Sequence, residues 1–111
     1  MSLYSTISRQ PGTTRSGTPF TLLVRRAVWS RGRPIPSKDP SVYRYDVCGA
    51  VMRWDRYGDT TPGGQGWEID HVIPVVVGGG DDIANLQPLH WRNNRAKGDN
   101  PPGAWFCAIT G

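Results

Sequence analysis

Apolar residues first recur at helical spacing in residues 20–30 (FTLLVRRAVWS). Leu23, Val24, Ala27 and Val28 share one helical face there, with Arg25, Arg26 and Arg31 free for another. Pro19 suits the start of such a helix and Gly32 its end, with a strand as the alternative. Residues 31–40 (RGRPIPSKDP) read as a Pro-rich connector. In residues 41–57 apolar and polar positions alternate, which predicts two short strands about Cys48-Gly49. Residues 58–66 (GDTTPGGQG) form a turn or loop, and residues 67–75 (WEIDHVIPV) a strand apolar on both faces and stopped by Pro74. Residues 76–85 are a loop whose three glycines permit a tight reversal. Residues 86–89 are held extended by Pro88, and residues 90–98 form a short helix ending at Gly98. The tail, residues 99–111, is broken by Pro and Gly, but Trp105 and Phe106 offer it a way to fold back.

These short elements predict a small α+β domain. The chain has 111 residues, enough for one core. Leu, Ile, Val and Phe supply only 22 of them, so five Trp must carry much of the core. No apolar run is long enough to span a membrane, and the start lacks the pattern of a secretory signal, which sets the expectation of a cytoplasmic protein. Two cysteines, Cys48 and Cys107, are too few for a disulfide scaffold and read as small buried apolar residues.

Charge divides the chain. Residues 1–38 carry a net charge of +7 with no acid among them, and residues 39–111 carry −3. A basic leading third points to a polyanion, most simply nucleic acid, with a solvated, partly disordered tail as the alternative. Residues 1–19, rich in Ser, Thr, Gly and Arg, read as a basic, loose arm. The domain proper is expected over 20–100 and a tail over 101–111.

The stretch that carries chemistry is 67–99. Asp70-His71-Val72-Ile73-Pro74 closes the strand. The glycine loop Gly78-Gly79-Gly80-Asp81-Asp82 follows, then Asn85-Leu86-Gln87-Pro88-Leu89 and Asn94-Arg95-Ala96-Lys97-Gly98-Asp99. His90 and Asn94, four apart on the predicted helix, share one face. In this order and spacing the motifs resemble the HNH, or ββα-metal, endonucleases. A looser resemblance to small free-standing bacterial and phage HNH proteins runs from about Ala27 to Asn100.

The resemblance implies a role for each position. His71 would be the general base, and an imidazole with an ordinary pKa near ~6.5 suits that task at neutral pH. Asp70 and Asn94 would hold a divalent ion, and oxygen donors favour Mg²⁺ or Mn²⁺. His90 matches a further metal-binding histidine of colicin-type nuclease toxins, and its participation would admit Ni²⁺ or Zn²⁺. Asn85 would tie the loop to the strand and orient the base. Arg95 and Lys97, beside the metal helix, would contact phosphates, and the basic arm (Arg9, Arg15, Arg25, Arg26, Arg31 and Arg33) would add sequence-independent affinity for nucleic acid. Zinc-stapled members carry two cysteine pairs where this chain has Tyr45 with Cys48 and His90 with Asn93, so no structural zinc is expected.

The expected activity is metal-dependent hydrolysis of phosphodiester bonds in DNA, without a membrane or a small-molecule cofactor. The alternatives are an HNH-like module that binds nucleic acid without cutting it, and a nuclease preferring RNA or structured DNA.

Overall fold

A computed structural model describes residues 9–111; the first eight residues of the expected arm lie outside the described residues. Helix α1 (Leu22–Trp29) leads into β1 (Arg33–Pro34), β2 (Tyr43–Tyr45) and β3 (Val51–Arg53), then β4 (Trp67–His71), β5 (Leu86–His90) and helix α2 (Trp91–Lys97). The first three strands form one antiparallel sheet in the order β1-β2-β3, and β4 pairs with β5 in a second. The chain is thus α+β, and β4, β5 and α2 follow one another as a ββα unit. Among the described residues no helix is long and apolar enough to cross a membrane.

Thr21 starts α1 by accepting a hydrogen bond from the Val24 N–H through its side chain. The buried face of α1 is carried by Val24 and Val28, in line with Phe20 ahead of the helix, and by Trp29. Leu23, expected on that face, is 81% exposed. The stripe runs at i, i+4, i+8 from Phe20, which leaves position 23 on the outside of the first turn.

Trp67 is the hub of the core. Its ring centroid lies 4.9 Å from that of Trp29, 5.8 Å from Trp54 and 4.8 Å from Tyr57. Its indole N–H donates to the Trp54 carbonyl, and that of Trp29 to the Pro40 carbonyl, so neither polar tip is left unpaired. Met52, Ile69 and Leu86 fill the space between them. Truncating a ring in such a position costs roughly 3–5 kcal/mol.

The cysteines depart from expectation. Cys48 and Cys107 form a disulfide across 59 residues, which pins the tail to the turn between β2 and β3. Sequence could not reveal this, because the pairing depends on the tail returning to that turn. The return is held independently by Asn93, whose Oδ1 accepts the backbone N–H groups of Ala108 and Ile109. Asn93 is bound in turn to buried Asp46, whose carboxylate accepts from the backbone N–H groups of Cys48, Ala50 and His90 and from Asn93 Nδ2. Phe106 does not join the core and is 92% exposed.

Candidate active site

Strand β4 is buried along its whole length. Alternation sends Trp67 and Ile69 into the aromatic core and leaves Glu68 and Asp70 on the face toward α2. His71 ends the strand. Asp70 and His71 therefore leave the backbone on opposite sides, yet both border one cavity of about 150 Å³. Asn94 and Arg95 of α2 form another wall of it.

His71 is buried, with Phe20 6.0 Å away ring to ring. Its Nε2 lies 2.7 Å from Asp81 Oδ1. Burial works to raise the Asp81 pKa. The hydrogen bonds from His71 and the Arg15 N–H, with the charges of His71 and Arg9, outweigh it and lower the carboxyl below its ordinary value. An ionised carboxylate only accepts, so Nε2 is the protonated nitrogen. That leaves Nδ1 with no hydrogen-bond partner among the described residues.

Asp70 faces Gln87 across the strand pair and accepts from its Nε2 at 2.9 Å. The Lys97 ammonium lies 3.3 Å from the other carboxylate oxygen. Burial dominates and pushes the Asp70 carboxyl above its usual range, against the lowering effects of Gln87 and Lys97. Asn94 donates through Nδ2 to Glu68 at 2.8 Å, and Arg95 holds the same carboxylate with both guanidinium ends, at 2.6 and 3.1 Å. Because Glu68 claims the amide nitrogen, the Asn94 oxygen is the end without a protein partner among the described residues.

The Asn85 side chain makes no hydrogen bond to His71. It closes the loop between β4 and β5: its Oδ1 accepts from the Ile73 N–H, and its Nδ2 donates to the carbonyls of Ile73 and Gly80. Asp81 follows directly on that anchored carbonyl. Gly79 is obligatory here, since a Cβ would stand 1.7 Å from the Ile73 carbonyl oxygen.

Two expected site residues are placed elsewhere. Lys97, read as a phosphate contact, is 1% exposed and donates to the His71 carbonyl at 2.9 Å. Its ammonium is enclosed between that carbonyl and Asp70 and does not reach the surface. His90 pairs with Trp67, at the far end of β4 from His71. It caps α2: its Nδ1 accepts from the Arg92 N–H, so its Nε2–H donates to the Gly64 carbonyl at 2.9 Å. Both ring nitrogens are committed to the fold, and His90 is absent from the cavity wall.

Arg25, Arg26, Arg31 and Arg33 also lie apart from the cavity. The Arg25 guanidinium sits 4.1 Å over the Tyr57 ring, Arg26 lies 5.9 Å from Trp54, and Arg33 is 5.0 Å over Tyr45. Arg31 and Arg33 line a separate cleft of about 220 Å³. Asp81, Gln87 and the anchoring role of Glu68 were not read from the sequence.

Residues 47–100 match the model of the HNH endonuclease family, and over that stretch the chain belongs to it. The matched segment contains β3, β4, β5 and α2, and with them Asp70, His71, Asp81, Asn85 and Asn94. No curated protein and no solved structure matches the chain.

Among the described residues no three His, Cys, Asp or Glu side chains cluster as a ready metal cage. The donor set at the cavity is different in kind: one buried carboxylate and one amide oxygen. That set fits a hard cation that keeps much of its water, as Mg²⁺ does, and does not fit a fully protein-ligated zinc.

Proposed function

We propose that this chain is a metal-dependent endonuclease that hydrolyses phosphodiester bonds in DNA. The observation that carries the reading is that Asp70, His71 and Asn94, contributed by β4 and α2, border a single cavity. A general base needs an available lone pair, and the Asp81 bond leaves one on His71 Nδ1. Asp70 and the Asn94 oxygen would hold Mg²⁺ or Mn²⁺ at that cavity. The ion, when bound, would offset charge on the phosphate and on the departing oxygen.

In the proposed reaction His71 Nδ1 takes a proton from the attacking water. The water oxygen bonds to phosphorus, and the bond from phosphorus to the 3′ oxygen breaks. Asp81 keeps the Nε2 proton in place and stabilises the imidazolium that forms. Asn85 fixes the loop that carries Asp81. Glu68 holds Asn94 so that its oxygen, and not its nitrogen, is turned away from the strand. The net +7 of residues 1–38, including Arg31 and Arg33 at their cleft, supports a polyanionic substrate such as DNA.

The test is purified protein on supercoiled plasmid with Mg²⁺, Mn²⁺, Ni²⁺ or Zn²⁺, and labelled RNA alongside. Nicked or linear plasmid that disappears with chelator is expected. A mobility shift without cleavage under every ion would overturn the enzymatic reading in favour of a binding module, and cleavage of RNA alone would overturn the choice of substrate.

A further inference from the structure

We propose that Arg9 grips a phosphate oxygen of the strand being cut, so that residues 9–20 are a wall of the substrate site and not only a basic arm. The proposal rests on the nuclease reading above and adds a residue outside the segment that matches the family. Arg9, Pro11 and Gly12 line the same cavity as Asp70, His71, Asn94 and Arg95.

The segment is fixed there by Asp81 and Tyr57. The Arg15 backbone N–H donates to both oxygens of Asp81, at 2.9 and 3.2 Å. The Tyr57 hydroxyl donates to the Gly12 carbonyl at 3.4 Å. Gly12 stands beside Glu68, with room for a Cβ that would lie 3.5 Å from that side chain. A single antiparallel bridge between Thr13 and Pro19 turns the chain back toward buried Phe20.

Within this frame the guanidinium is held in advance. Arg9 Nη1 donates to the Thr13 carbonyl at 2.8 Å, which fixes one corner of the fork. Of the two guanidinium groups at the cavity, Arg95 is engaged by Glu68 with both ends. Arg9 forms no ion pair among the described residues. The other charged walls, Asp70 and Asp99, would repel a phosphodiester. A planar, permanently charged fork beside them is the group suited to hold one.

The experiment measures binding of the full chain to a short fluorescent duplex in chelator across a range of salt concentrations, followed by plasmid cleavage with Mn²⁺. Each phosphate contact contributes about 0.9 to the slope of log affinity against log salt. Arg9→Gln should flatten the slope by about that amount and slow cleavage at least tenfold. Arg9→Lys, which keeps the charge, should retain the slope. A slope for Arg9→Gln equal to that of the unaltered chain, or binding with no salt dependence, overturns the contact. Failure of the unaltered chain to cut with any ion removes the nuclease reading separately, and the slope still decides whether Arg9 touches phosphate.

Discussion

His71 Nε2 and Asp81 Oδ1 stand 2.7 Å apart, joining the last residue of β4 to a loop residue ten positions on. The bond selects the tautomer and aims the ring. Asp81→Ala should therefore lower cleavage by roughly 10–100-fold, in the range found for partners that orient a functional histidine. Asp81→Asn, which still offers an acceptor, should fall between that variant and the unaltered chain. Equal rates for all three in a plasmid assay would show that Asp81 does not position the base.

The same carboxylate ties down the N-terminal segment through the Arg15 N–H, and its pKa is lowered in the fold. A depressed carboxyl contributes its anchoring fully above its unfolded value of ~3.9, and the contribution is lost as pH falls through the lower folded value. The Arg15 amide resonance should titrate with a midpoint below ~3.9. A midpoint at or above the ordinary aspartate value would contradict the bond.

Lys97 is a buried cation wedged between the His71 carbonyl and Asp70. Lys97→Met removes the ammonium and leaves the Asp70 carboxylate buried without it. Such a break costs roughly 3–5 kcal/mol. Denaturant unfolding measures this directly, and a change under about 1 kcal/mol would place Lys97 at the surface, where the sequence suggested it.

The Cys48–Cys107 disulfide closes a long loop, separating its ends by 59 residues. Constraint of the unfolded chain by a loop of that size is worth about 4 kcal/mol on an entropic account. Reduction, or the double substitution Cys48→Ser with Cys107→Ser, should lower the melting temperature by more than about 10 °C. An unchanged melting temperature under reductant would mean that the bond is not formed. Such bonds persist in oxidising surroundings, which sits uneasily with the cytoplasmic location expected from the sequence.

The ββα unit was legible because its signals are local: Pro74 and Gly98 end elements, Pro88 holds β5 extended, and the Asp70-His71 and Asn94 motifs sit at fixed spacing on them. Helix α1 was legible too, although Leu23 faces outward, since Leu22, Leu23 and Val24 allow more than one stripe. What depends on long-range return of the chain was not. Asp81 and Asp82 are indistinguishable as residues, and only a loop closed by Gly79 and Asn85 turns the first onto His71. Lys97 belongs to a type almost always solvated, so its burial carries no sequence signal. Residues 9–19 read as loose by composition, yet Arg15 and Gly12 are held through backbone groups, which composition does not encode.

The most direct measurement compares the unaltered chain with His71→Ala on supercoiled plasmid in Mn²⁺, with circular dichroism confirming that both are folded. Nicking by the first and none above background by the second is the predicted result. Equal nicking by a folded His71→Ala protein would contradict the assignment of the base, and with it the account of this site.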